Sequence, residues 1–349
     1  MNEMTADLFD IGSALGDVFL DRLLVVLNYP FNSEQRIFVV WLFTSLVFAL
    51  FVFFRSSPGV RTGQDGRLRA FGRFLFPPAV WSQRSAWLDV RYFFFHQVFR
   101  VLLAEGVLMG AVSAAVFHKS SDVLTGLSGG GLTLASEFIW GLEWACALLA
   151  MLLSDFVAYA LHYYQHKNPL LWEFHKVHHS PSVMHPLTNY REHPIDNLFY
   201  TLGHGVAIGL SGGVIVWALG YIPATPTIFG VALFAFLFNA LGYNLRHSHI
   251  WLRWPGKWAY VFGCPAHHHI HHSCHPDHID KNFAFLFPVW DVVFGTFCLP
   301  DDNRTVRFGL GEGQEDIYTS CLALYFLPLK NGLARLREVF LPAPRSARL

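Results

Sequence analysis

The sequence predicts an all-α integral membrane protein with about four to five transmembrane helices and a histidine-rich helical cap. Three observations predict it. Of 349 residues, 53% are hydrophobic and only 14% charged, and the mean hydropathy is +0.35, which is membrane-like rather than soluble. Aromatic residues reach 16%, with Phe 34 and Trp 11, as lipid-facing helices and interfacial belts require. Seventeen of the nineteen histidines fall between His162 and His278.

Three regions follow in order. Residues 1–130 form an N-terminal membrane region with one interfacial and about two transmembrane helices. Residues 131–300 form the histidine-rich domain, and residues 301–349 a peripheral tail. Residues 1–10 carry acids where a secretion signal would be basic, so no cleaved signal peptide is expected. Residues 17–28 space Asp17, Asp21, Arg22 and Asn28 at helical intervals among apolar residues, a pattern shared by surface helices and helices lying in the membrane plane.

Residues 37–54 run without a charge for nearly the length that crosses a hydrocarbon core of about 30 Å, and give the clearest span. Six arginines against Asp65 alone, from Arg55 to Arg84, then mark the cytoplasmic side. Further spans are expected at 93–117, where Arg100 and Glu105 interrupt, and at 138–161, 198–219 and 227–245. The glycine-rich stretch 126–131 and the turn 220–226, with Pro223 and Pro226, punctuate them. Alternation puts both turns outside and the histidines inside. Lys167, Lys176, Arg191, Arg246, Arg253 and Lys257 lie on that same side, so charge bias and alternation agree. In the tail, residues 334–340 look like a short peripheral helix. Formal net charge is zero and the pI about 7.3, so nothing points to nucleic acid as a partner. Five scattered cysteines without C-x-x-C argue against a disulfide framework or a zinc finger.

The histidines make three clusters: His162/His166, His175/His178/His179 and His268/His271/His272. On a helix, residues three or four apart share a face, so each cluster aims two or three imidazoles at one point. Eight nitrogen donors suffice for two metal ions, and the cap is expected to hold a di-metal site. Four imidazoles apiece would close a tetrahedral zinc; iron accepts five or six ligands and keeps positions for oxygen. Asp155, Tyr159, His162 and His166 share one stripe. A buried carboxylate needs a partner, and metal-bound imidazoles commonly pass their second N–H to one. Asp155 is thus the candidate carboxylate behind a ligand. A metal transporter would spread its histidines along several spans, and a bis-histidine haem carrier would need single histidines on facing spans.

H-x-x-x-H from His162, then H-x-x-H-H from His175 and again from His268, set between hydrophobic stretches, resemble the membrane-bound fatty acid hydroxylase/sterol desaturase superfamily. Asp155-Phe156, Phe174 to Ser180, His193-Pro194, Asn244 with His247, and Trp290-Asp291 with Phe294-Gly295-Thr296 extend the likeness over roughly residues 138–300. The resemblance implies two non-haem irons, with O2 as co-substrate, that hydroxylate or desaturate an unactivated C–H bond of a lipid drawn from the bilayer. It also implies His193 and His247 as further ligands, with His249 the alternative to His247, and Trp290 to Thr296 as a cap in which Asp291 holds a histidine or arginine. No G-x-G-x-x-G fingerprint is present, so electrons must come from a separate ferredoxin- or cytochrome b5-type redox partner. Ala284 stands where the family often has glycine. The competing reading is a membrane-associated zinc or di-metal hydrolase.

Overall fold

The computed structural model describes residues 16–17, 19–56, 66–100, 104–131, 139–224, 227–229, 231–314 and 317–340. Residues 19–27 form α1, with Phe19, Leu20, Leu24 and Leu27 exposed and Val26 buried. Helix α2, Val39–Ser56, starts after a turn in which Arg36 is anchored to Glu192 at 2.8 Å and to the Asn189 carbonyl at 2.6 Å. Its apolar part, Val39–Arg55, rises about 26 Å, slightly short of a full crossing. The segment expected to be the clearest span is therefore the marginal one.

Helices α3 (Arg67–Leu75) and α4 (Pro78–Trp81) lead into α5 (Arg84–Arg100) and α6 (Glu105–Ser128). The span expected at 93–117 is divided between the last two, which are bent by 58°. Arg100 and Glu105, the charges that interrupt the apolar pattern, pair across this break at 2.7 Å. Helix α6 runs through Gly126 as far as Ser128, so the predicted glycine loop begins only at Gly129.

Helices α7 (Ile139–Lys167) and α9 (Pro194–Leu219) each contain a stretch long and apolar enough to cross a membrane. Between them lies α8, Pro169–His179, whose start is fixed by Pro169 and by the Asn168 side chain accepting from Leu170 N and Leu171 N. Helix α6 packs along α9 through glycines four residues apart. A Cβ at Gly205 would lie 2.9 Å from Met109 O, one at Gly209 2.5 Å from Ser113 O, and one at Gly213 against Ser120. Small residues at this interval let two helix backbones approach closely.

Residues 227–245 do not form the expected fifth span. Thr227–Ile228 (β1) pairs antiparallel with Val231–Ala232 (β2), and α10, Leu233–Ala240, rises only about 12 Å. Gly242, at φ 82°, turns the chain into a 3-10 segment at Tyr243–Leu245. Two described helices, or three if α5 and α6 make one bent span, meet the length and composition of a crossing, in place of four to five. The alternation argument for orientation counted 227–245 and loses that step. Short helices α11 (Trp258–Val261), α12 (Pro265–His271) and α13 (Val289–Phe294) follow. Helix α14, Cys321–Phe340, begins well before the predicted tail helix and lies on α8, where Gly332 approaches Phe174.

Candidate metal centre

Nine histidines converge below the end of α7. His162, His166, His175, His179 and His271 form one group and His178, His247, His268 and His272 a second; within each group, one nitrogen per ring lies within 4.8 Å of all the others. All eight clustered histidines and His247 are brought together. The two H-x-x-H-H repeats are used reciprocally. In α8, His175 and His179, one turn apart, face the first group while His178 faces the second. At α12, His268 and His272 face the second while His271 crosses to the first. Successive helical residues point about 100° apart, so one short helix can serve two centres.

The outer nitrogens fix the inner ones. Nδ1 of His162 donates to Phe283 O at 2.8 Å, that of His271 to Lys281 O at 2.9 Å, and that of His178 to Arg191 O at 3.3 Å. His175 Nδ1 faces Asp196 at 3.1 Å. Carbonyl oxygens only accept, so the ring proton of His162, His271 and His178 sits on Nδ1 and Nε2 is a bare lone pair. Nε2 atoms then face each other: His179 lies 3.1 Å from His166 and from His271, and His247 lies 3.2 Å from His178 and 3.0 Å from His268. His175 Nε2 is buried with no hydrogen-bond partner. Protons do not fill these gaps, because burial pushes the His175 and His178 rings down to about 4 and His271 to about 3. Converging lone pairs in a dry site suit a cation, and an all-imidazole set suits iron, copper, nickel or zinc.

Other candidates lie elsewhere. His193 joins neither group: it caps α9, with Nδ1 accepting from Ile195 N at 3.1 Å and Nε2 donating to Tyr325 O at 3.0 Å. Both nitrogens are used, so its expected role as a ligand is not what the geometry provides. His249 donates to Phe74 O at 2.7 Å, which separates it from His247. Asp155 does not reach a histidine. Its carboxylate accepts from Leu286 N, Phe287 N and Trp290 Nε1 at 2.8 to 3.0 Å. Asp291, in turn, accepts from Phe283 N at 2.8 Å and Ala284 N at 2.9 Å rather than holding a histidine or arginine. Together the two carboxylates clamp the 283–287 strap whose Phe283 carbonyl orients His162. Asp280 lies 3.6 Å from His166 Nδ1. Asp196, overlooked in the sequence, is a carboxylate within hydrogen-bond distance of a ligand-candidate ring, and Gln165 donates to it. Its signal was its position on the first turn of α9, beside His193-Pro194.

Residues 147–296 match the family described as fatty acid hydroxylase. The chain is 28% identical over 231 residues to an alkylglycerol monooxygenase of Danio rerio, a stretch covering 60% of this chain and 48% of the relative. It is 26% identical over 223 residues to the ornithine lipid hydroxylase OlsE of Rhizobium tropici, covering 62% and 61%. It is 34% identical over 152 residues to human cholesterol 25-hydroxylase, covering 43% and 50%. The chain thus spans about half the length of the alkylglycerol monooxygenase. No solved structure matches it significantly.

Proposed function

We propose, on the premise that the chain belongs to the fatty acid hydroxylase/sterol desaturase superfamily, that it is a membrane oxygenase that hydroxylates an unactivated C–H bond of a lipid. The supporting relatives are named as lipid and sterol hydroxylases or monooxygenases. One observation carries the reading: two adjacent groups of imidazoles whose Nε2 atoms converge, with the outer nitrogens of His162, His271 and His178 held by backbone carbonyls and that of His175 by Asp196.

His162, His166, His175, His179 and His271 would hold one iron, and His178, His247, His268 and His272 the other. Two irons would supply the activation of O2 and the attack on the C–H bond. The residues' own tasks are distinct. Phe283 O, Lys281 O, Arg191 O and Asp196 orient four of the rings, His162, His271, His178 and His175, with Nε2 toward the groups. Burial of the rings keeps them neutral and excludes water. The five imidazoles of the first group exceed the four that close a tetrahedral zinc, which favours iron with its higher coordination number. The substrate enters from the bilayer beside α7 and α9, and electrons come from a separate ferredoxin- or cytochrome b5-type system on the cytoplasmic side.

The test is metal analysis of the purified protein with oxygen uptake and product mass. About two irons per chain, with one oxygen atom gained by a lipid, supports the reading. Zinc alone with ester or amide hydrolysis replaces it by the hydrolase.

A further inference from the structure

Away from the histidines, residues from α1 and Tyr29, the end of α5 and the start of α6 line an open cavity of about 370 Å³. Its polar lining comes from Arg22, Tyr29, Gln35, Gln97, Arg100 and Glu105, and its apolar walls include Val25 and Val107. Two of these polar atoms are buried without a partner: Gln97 Nε2, on a residue 5% exposed, and Glu105 Oε1. The other half of each group is satisfied. Gln97 Oε1 accepts from the Tyr29 hydroxyl at 2.9 Å, and Glu105 Oε2 accepts from Arg100 at 2.7 Å. What remains is one amide donor and one carboxylate acceptor in the same cavity, each costly to leave unpaired.

A ligand that relieves both must offer a donor to Glu105 and an oxygen to Gln97, with Arg22 available to an anion. The apolar walls and the exposed Phe19, Leu20 and Leu24 of α1 ask for an apolar body behind that head. We propose that this cavity binds the head group of a bilayer lipid carrying both an ammonium or hydroxyl donor and an acceptor oxygen. Phosphoethanolamine has this chemistry; phosphocholine has the oxygen but no donor for Glu105. The site does not rest on the oxygenase reading, because it uses none of the histidines.

The experiment places the full chain in nanodiscs of equal phosphatidylethanolamine and phosphatidylcholine and identifies the lipid retained after detergent extraction by native mass spectrometry. One retained phosphatidylethanolamine, enriched roughly ten-fold as one charge-assisted hydrogen bond allows, is expected. Glu105→Gln and Gln97→Met should each bring the enrichment close to one. If Glu105→Gln fails to fold with Arg100 unpaired, Gln97→Met reads the same preference without disturbing that pair. Equal retention of both lipids by the unaltered protein, or unchanged enrichment in Gln97→Met, overturns the proposal. Supplying O2 and reductant then separates the two sources: a retained lipid that gains an oxygen atom is substrate, and one of unchanged mass is a resident lipid, both through the same head-group site.

Discussion

Asp89 and Arg191 are paired at 2.9 Å inside the protein, with side chains 0% and 2% exposed. Thr188 also donates to Asp89 at 2.6 Å, and the Arg191 carbonyl takes the Nδ1 proton of His178. A carboxylate on α5, far outside the histidine-rich region, therefore sets the ring that opens the second group. Asp89→Asn leaves a buried guanidinium without its counter-charge, a change that typically costs about 3–5 kcal/mol. Loss of an outer partner of a ligand typically weakens metal binding about 10–100-fold. Under chelator, the variant should drop from two metal ions to one, with the first group retained. Simultaneous loss of both, or of neither, would show that this pair does not act through His178.

His247 and His249, two residues apart, separate cleanly. His247 Nε2 lies among the second group, while His249 ties the loop to Phe74 O. His247→Ala is expected to remove about one metal ion per chain and abolish turnover. His249→Ala should keep both ions and lower the melting temperature by the loss of one hydrogen bond, about 1 kcal/mol. Equal metal loss in both variants would contradict the assignment.

Much of this centre was legible because imidazole spacing is a local signal: three and four residues apart on a helix leaves little freedom in where rings point. His247 was legible only through the resemblance, since one histidine in a loop has no period. The outer partners Phe283 O, Lys281 O and Arg191 O are backbone atoms and leave no trace in residue type. Asp155 was misread for a related reason. Its stripe with His162 is real, but α7 is long enough that the carboxylate meets the 286–290 segment instead of a ring. The fifth span failed because hydropathy sees composition and not backbone: the largely apolar run is divided between the β1–β2 pair and an eight-residue helix, and Gly242, at φ 82°, then turns the chain away.

The α6–α9 seam can be tested away from the site. A methyl group at Gly209 would sit 2.5 Å from Ser113 O and 2.8 Å from Val116 Cβ, so the helices must separate. Gly209→Ala should destabilise by about 1–3 kcal/mol, as overpacking does. Gly220→Ala, at φ 79° with open space around it, should cost through backbone strain instead. Thermal unfolding in detergent, with crosslinking between cysteines introduced on α6 and α9, distinguishes them: only Gly209→Ala should change the crosslink yield. An unchanged yield would mean that the seam is not close-packed.

His193 offers a pH test of its structural role. Burial pushes its ring down to about 4, against the upward pull of its bond to Tyr325 O, and Nδ1 must stay bare to accept from Ile195 N. The folded state therefore prefers the neutral ring. Above pH 6.5 both folded and unfolded chains hold it neutral, and no cost arises. As pH falls from about 6.5 toward 4 the unfolded chain takes up the proton first, and stability is lost by up to roughly 3 kcal/mol. Asparagine caps helices well and does not titrate. His193→Asn should thus bind the same amount of metal as the unaltered protein, while its melting temperature falls less between pH 7 and pH 5. A variant that loses metal at pH 7.5 would instead make His193 a ligand and overturn its placement as the cap of α9.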